Sequence, residues 1–139
     1  MTEQEWVTVV RGNDHDALRA AVAGATAEVI NARSFSENRT ALSETIVRAK
    51  LKAFRIVLAS PLCDPDVGDD LRLTSLHWAA RSNDPAYIRA LLQRPGIAVN
   101  ARSNAGRTPL HLAAYNGDLS VVELLLDSGA TLTLTLTLT

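Results

Sequence analysis

The clearest pattern of hydrophobic and polar positions lies between Thr108 and Gly129, and it predicts two short consecutive helices. Thr108 can cap the first helix, and Pro109 suits its first turn, where a missing N–H leaves no hydrogen bond unmade. Gly117 ends that helix, and leucine and valine then recur at helical spacing along the second helix. Neither helix can bury its apolar face alone, so the pattern predicts one unit of a stack of helix pairs.

The unit recurs at an interval of 34 residues. Residues 108–114 have the sequence TPLHLAA, residues 74–80 have TSLHWAA, and a weaker copy begins at Thr40. This signature, at a period of about 33 residues, resembles that of ankyrin repeats, and the resemblance extends from about Glu5 to Gly129. It implies an all-α repeat solenoid of stacked helix–turn–helix repeats with short β-hairpin fingers. A single domain over residues 1–130 would then hold about four repeats, near residues 3–36, 37–70, 71–104 and 105–130.

The first two copies are degenerate. In the first, Glu3–Arg11 is predicted to be a helix, and Asp14 or Asp16 can cap the helix that follows. In the second, helices are predicted over Thr40–Arg48 and Lys50–Ala59, and these two could run together because no glycine separates them. A continuous helix there would remove the helix–turn–helix of this copy.

Residues 131–139 alternate threonine with leucine. This alternation is typical of a β-strand, and the segment lacks the charge, proline and glycine that discourage strand pairing. One interpretation is a strand that docks on a partner or on a second copy of the chain. The leucines that would mediate self-association are Leu132, Leu134, Leu136 and Leu138. The other interpretation is a disordered terminus or an engineered addition.

The amino-acid composition and net charge of the chain limit the classes of partner and cellular location that we expect. A net charge of −1 gives no general attraction to nucleic acid or to a membrane, and we expect neither as a partner. Hydrophobic residues make up 47% of the chain and aromatic residues only 4%, which predicts an aliphatic core. The single cysteine, Cys63, excludes an internal disulfide. No apolar run is long enough to span a bilayer, and the polar N-terminus is unlike a secretory signal, so we expect a cytoplasmic location.

Candidate chemical groups do not assemble into an active site in the sequence. His15 lies between Asp14 and Asp16 without a second group of ligands, which favours a capping segment over a metal site. The acidic run from Asp64 to Asp70 lacks the glutamate that a calcium loop needs. Neither a glycine-rich phosphate loop nor a Gly-x-Ser-x-Gly elbow occurs. We therefore predict a non-enzyme without a cofactor or metal.

Two histidines, His77 and His111, occupy the Leu-His position of the repeat. The resemblance implies a structural role for both, in which the imidazole bonds the backbone of adjoining loops and ties repeats together. It also implies a binding surface made of the finger tips and the exposed face of the first helices. The candidate partner-binding residues carried over are Asp70, Leu73, Trp78, Arg81, Arg102, Asn104, Arg107, Tyr115 and Asn116. The second copy adds Ser36, Glu37, Arg39, Val47 and Arg48.

Two functions from different classes remain. The first is a protein–protein interaction module. Because arginine outweighs the single Asp84 between residues 81 and 107, we expect its partner to present an acidic surface or peptide. The second is a self-assembling structural protein, joined head to tail through the Thr-Leu tail and an uncapped last repeat.

Overall fold

The computed structural model describes residues 1–130, which form nine α-helices and one short 3₁₀ turn. The α-helices are α1 (Glu3–Arg11), α2 (His15–Gly24), α3 (Ala27–Ile30), α4 (Ala41–Val47), α5 (Leu51–Leu58), α6 (Ser75–Arg81), α7 (Pro85–Leu92), α8 (Pro109–Asn116) and α9 (Leu119–Asp127). The 3₁₀ turn is Ser36–Asn38. The predicted C-terminal strand and its leucines, in residues 131–139, lie outside the described part.

The helices form two layers that each follow the order of the chain. The inner helices α1, α4, α6 and α8 pack successively in one layer, and the outer helices α2, α5, α7 and α9 pack successively in the other. Each inner helix also packs against the outer helix of its own pair. This arrangement confirms the predicted all-α repeat solenoid.

Stacking buries the apolar faces that no single pair could bury. Ala79, Ala80 and Ala113 are fully buried, since their small side chains let the inner helices approach closely. Between the outer helices, the rings of Phe54 and Tyr87 meet edge to face with their centroids 4.9 Å apart. The largest fully buried apolar side chains are Trp6, Leu18, Ile30, Leu42, Phe54, Leu76, Ile88, Leu91, Leu110 and Leu125.

Side-chain caps begin most of these helices and repeat at the same interval. Thr40 and Thr108 accept a hydrogen bond from the backbone N–H three residues further on, at the start of α4 and α8. Asp84 and Asp118 accept bonds from the first turn of α7 and α9. These caps fix where the capped helices begin, and they follow directly from the sequence.

The second outer helix lacks this device. Lys50 stands 34 residues before Asp84, and α5 has no side-chain cap. The Lys50 ammonium group instead donates to the carbonyl oxygens of Arg11 and Gly12 at the end of α1. This residue therefore fastens the second repeat to the first, and its positive charge is favourable at the C-terminus of a helix.

The possibility that α4 and α5 form one continuous helix is wrong. Ala49 lies between them with φ of 57°, in the left-handed region. Asn83 and Gly117 hold the same position in the next two repeats, with φ of 56° and 74°. The chain turns sharply here in each of these three repeats, and Ala49 adopts the left-handed conformation without the conformational freedom of glycine.

Three finger loops separate the helix pairs, over residues 35–39, 69–73 and 103–107. Each is closed by a bond from its first N–H to its fifth carbonyl oxygen, as from Ser103 to Arg107 at 2.9 Å. Adjacent loops are linked by bonds from Asp70 N–H to Glu37 O and from Asn104 N–H to Leu71 O. No residue of 1–130 is in a β-strand, so the predicted β-hairpins are not confirmed. One closing bond per loop is too little for a strand ladder.

Candidate interaction surface

The inner helices α1, α4, α6 and α8 and the three finger loops together present what we call the inner surface. Tyr115, at the end of α8, is 92% exposed, and Arg81 and Arg107 are also exposed. Arg102 and Trp78 are partly buried. These five predicted residues therefore reach the surface of the stack.

The remaining predicted residues have structural contacts. Leu73 is only 7% exposed, because the turn of its finger loop directs it into the interior, and it is not available to a partner. Asn104 donates to Asp70 O, and Asp70 accepts from the Asn38 side chain at 2.7 Å. Asn116 donates to Arg81 O at the end of α6. The amides link successive repeats and remain exposed.

Trp78 is held in place by its neighbours. Its indole N–H donates to the Asp69 carboxylate at 2.9 Å. The guanidinium groups of Arg39 and Arg81 lie over its ring, 5.5 and 5.0 Å from the centroid. Cation–π contacts of this kind favour a fixed ring orientation. The indole is therefore preorganised between two finger loops and two inner helices.

Glu44, in the middle of α4, is the most unusual residue of the inner surface. Its side chain is fully buried, yet it accepts from the Nε atoms of three arginines. The distances are 2.9 Å to Arg11, 3.2 Å to Arg39 and 3.0 Å to Arg48. Arg39 also pairs with Glu37 at 3.1 Å. A buried carboxylate is retained here because it is fully paired.

The ionisation of Glu44 follows from these partners. Burial alone would raise the pKa of this carboxyl group, but hydrogen bonds from Arg48, Arg11 and Arg39 outweigh burial, and its pKa lies below the ordinary value. Glu44 is therefore charged at neutral pH, and its negative charge holds the three guanidinium groups together.

The two histidines occupy equivalent positions with different surroundings. Nδ1 of His77 accepts from the Thr74 N–H at 3.0 Å, so Nε2 carries the proton and donates to Arg107 O at 2.8 Å. His111 accepts in the same way from Thr108, and within residues 1–130 its Nε2 has no hydrogen bond. Burial lowers the pKa of both imidazoles. The bond from His77 to the next finger loop is of the type that the implied structural role requires, whereas His111 bonds only its own repeat within residues 1–130.

The acidic run serves its own loop and the neighbouring repeat. Asp69 Oδ1 accepts the N–H groups of Leu71 and Leu73, and Asp66 accepts from Ala98 N–H at 3.2 Å. Over residues 1–130 there is no group of three or more His, Cys, Asp or Glu side chains that could hold a metal ion. Cys63 is buried, and burial raises the pKa of its thiol to about 11.

These features define a stacked helical-repeat protein with exposed aromatic and cationic side chains on its inner surface. The family described as "Ankyrin repeats (3 copies)" matches residues 45–135, more than half of the chain. The chain therefore belongs to the ankyrin repeat family. Ankyrin repeats generally mediate protein–protein interaction, and the family is typically non-catalytic.

Several curated proteins share the repeats. Serine/threonine-protein kinase VIK of Arabidopsis thaliana is 42% identical over 59 residues, 42% of this chain and 14% of the kinase. Acyl-CoA-binding domain-containing protein 1 of the same plant is 35% identical over 74 residues, 53% of this chain and 22% of that protein. Ankyrin repeat domain-containing protein 49 of Homo sapiens is 44% identical over 55 residues, 40% of this chain and 23% of that protein. The chain thus spans less than a quarter of each of these relatives.

Sequence reasoning missed Glu44 and Arg11 as members of the surface. A signal for Glu44 was present, since the 34-residue interval aligns it with Trp78 and Leu112. A carboxylate at a position where other repeats carry large apolar residues indicates that the second repeat has side-chain contacts that the other repeats lack.

Among residues 1–130, no helix combines the length and apolar character that crossing a membrane requires.

Proposed function

We propose that this chain is a non-catalytic interaction module that holds a protein partner on its inner surface. The observation that carries the proposal is the exposure of Tyr115 on α8, together with a preorganised Trp78 on the neighbouring helix α6 and the two arginines over its ring. Tryptophan, tyrosine and arginine are the residues most enriched among those that dominate binding energy. Because the Trp78 indole is already fixed, little side-chain entropy is lost when a partner covers it.

The charge of the surface favours an acidic partner. Arg81 ends α6, Arg102 precedes the third finger loop and Arg107 ends it. None of the three forms an ion pair within residues 1–130. The exposed Asp70 is already bonded to the Asn38 amide and lies near Arg33. The unpaired positive groups would steer and orient a partner with carboxylates.

A non-catalytic role agrees with the state of the groups best suited to catalysis. The Cys63 thiol is buried with its pKa raised to about 11, so the thiolate that a nucleophile needs is scarce at neutral pH. His77 and His111 each use Nδ1 to accept a backbone N–H. Kinase and acyl-CoA-binding activities belong to the relatives named for them, which extend far beyond the matched repeats.

The experiment is to select ligands and to map where they bind. Peptides chosen from a random library on the immobilised chain would be titrated into ¹⁵N-labelled protein. We expect the backbone amide NMR chemical shifts of Trp78, Asn104 and Tyr115 to change on titration. We also expect Tyr115→Ala to weaken binding. Glu123→Ala, on the outer helix α9, is the matched control. Shifts confined to the outer helices would contradict the proposal, and so would a library that yields no ligand.

Self-assembly is the second candidate. Leu119 and Leu126 of α9, the last outer helix, are 74% and 44% exposed, which leaves an apolar edge open to another copy. Sedimentation of the full chain beside residues 1–130 alone tests this function. Large assemblies of the full chain only would assign the contact to the Thr-Leu tail, and assemblies of both would assign it to the last repeat. Monomers in both samples would exclude self-assembly.

A further inference from the structure

We infer that the inner surface contains a subsite for an acidic side chain next to an apolar one, in an extended segment of a partner protein. The subsite comprises Arg11, Arg48 and Arg81 around Glu44 and Trp78, and we call it the arginine subsite. This inference rests on the proposed function and specifies where on the surface the partner binds and which chemistry is recognised.

The first argument is that packing does not require a charge at this position. The 34-residue interval aligns Glu44 with Trp78 and Leu112, so an apolar side chain satisfies the same site in the two later repeats. A buried carboxylate with three arginines rarely adds stability over a hydrophobic replacement. Glu44 instead fixes the positions of three guanidinium groups, those of Arg11, Arg39 and Arg48.

The second argument is that donors remain available after Glu44 is satisfied. Within residues 1–130, Arg48 is bonded only through Nε, which leaves its two terminal nitrogens for a ligand. Arg81 contacts the Trp78 ring and forms no ion pair in the same range. The neighbourhood of Glu44 and Trp78 holds the four arginines Arg11, Arg39, Arg48 and Arg81. It holds three carboxylates, those of Glu37, Glu44 and Asp69. The excess positive charge is complementary to one further carboxylate.

The third argument is a pocket beside the arginines. It has a volume of about 210 Å³ and lies between α4 and the end of α6, where Val47 is exposed. Its lining residues are Ile46, Val47, Trp78, Arg81 and Ser82. An apolar side chain in this pocket would contact the Trp78 indole while its acidic neighbour reaches Arg48. The pairing of an apolar pocket with adjacent cations predicts an acidic-plus-apolar sequence in the partner.

A protein segment fits these features better than a nucleic acid does. The guanidinium groups of Arg39 and Arg81 already lie over the Trp78 ring, so a base could not stack on it without displacing them. The cluster is also compact, whereas binding of a phosphate backbone relies on cations spread along a strand. The occupant is therefore a protein segment with a carboxylate.

The test uses Trp78 as the reporter of binding. Trp6→Phe removes the only other tryptophan, which is buried and whose indole N–H has no hydrogen-bond partner among the described residues. Random dodecapeptides selected on this full-length variant would be synthesised and titrated while the Trp78 fluorescence is followed. Each peptide would also be titrated into Arg48→Glu/Arg81→Glu and into the control Arg55→Glu/Arg89→Glu. The control makes the same change of charge at exposed positions of the outer helices α5 and α7.

We expect the selected peptides to be enriched in Asp or Glu next to an apolar residue. The subsite variant should bind them about tenfold more weakly or worse, and the control should bind them within about twofold of the parent. A peptide with its acidic residue replaced by lysine should recover affinity for the subsite variant. Equal losses in both variants would overturn the inference, because they would show only a general charge effect.

The design separates this inference from the proposed function. Peptides that lose affinity with Tyr115→Ala but not with Arg48→Glu/Arg81→Glu would refute the subsite and retain the inner surface. A single-stranded oligothymidine that binds the parent and loses affinity only with the subsite variant would refute the protein assignment. Failure to select any peptide would refute both proposals. Circular dichroism of each variant confirms that the helices are retained.

Discussion

In the second repeat Glu44 occupies the position that Leu112 occupies in the last repeat, 68 residues further along the chain. The last repeat follows the family pattern closely, with a threonine cap, an aspartate cap and Gly117 in the turn. The second repeat lacks the aspartate cap and the glycine, and it is stabilised instead by ion pairs and by Lys50. The comparison shows that departures from a repeat pattern can be compensated by contacts between repeats.

The largest expected effect comes from breaking the ion cluster. Glu44→Ala leaves three arginines without their shared partner, and we expect a loss of about 3 kcal/mol in the free energy of unfolding. Leu112→Ala, at the aligned position of the last repeat, should cost about 1 to 1.5 kcal/mol because Leu112 is only partly buried. Urea denaturation followed by circular dichroism measures both. A cost for Glu44→Ala no greater than that of Leu112→Ala would show that the cluster does not replace the missing consensus contacts.

The next effect separates two aligned histidines. His77 bonds the next finger loop through Arg107 O, whereas His111 bonds only its own repeat within residues 1–130. We expect His77→Ala to cost about 2 to 3 kcal/mol and His111→Ala about 1 kcal/mol, since only the first variant empties a fully buried site and loses a bond to the next finger loop. The same urea series measures both. Equal costs would mean that the bond between repeats contributes nothing beyond the helix cap.

The same pair predicts how stability depends on pH. Burial lowers the pKa of His77 and His111 in the folded chain, so below the unfolded pKa of about 6.5 the unfolded state binds more protons. Stability is therefore complete above that pH and falls as the pH drops, by at most about 1.4 kcal/mol per unit for each histidine. Unfolding midpoints measured between pH 7.5 and 5.5 test this.

His77→Gln supplies the control for the pH series. Glutamine can accept the Thr74 N–H as the third residue of a capping box, but it does not titrate. We expect the variant to be less stable at pH 7.5 and to lose less stability on acidification. Glu44 does not contribute in this window, because its pKa is lowered and it loses its charge only below the ordinary carboxyl range. An unchanged slope in His77→Gln would assign the pH dependence to other groups.

The smallest effect concerns the turn between the helices of one repeat. Ala49→Gly removes a left-handed alanine and should raise stability by about 0.5 kcal/mol, the relief of strain exceeding the added freedom of the unfolded chain. Gly117→Ala is the reverse change in the last repeat, where an added Cβ meets no atom within 4 Å. It should lower stability by a similar amount. Thermal unfolding of the two variants tests this prediction. Unfolding midpoints that shift in the same direction in both variants would contradict it.

Much of the fold could be predicted because its signals are local. The caps at Thr108 and Asp118 and the break at Gly117 are properties of adjacent residues, and α1 begins and ends where the sequence predicted. The turn at Ala49 was missed because alanine favours a helix, and only the register of the stack forces it into the left-handed region. Leu73 was expected at the surface because the family's binding positions were carried over onto it, and the spacing does not show that the loop turn directs it inward.

The sequence by itself determined the architecture, because a 34-residue period of caps, breaks and apolar faces admits only a stack of helix pairs. Only the tertiary structure decided the character of the inner surface. Arg11 lies 33 residues before Glu44, and their contact exists only because stacking brings the end of α1 beside α4. Likewise, the indole of Trp78 contacts Asp69 and Arg39 because adjacent finger loops pack together. Charged residues that are distant in sequence come into contact where the repeats pack, and a local sequence pattern does not predict such contacts.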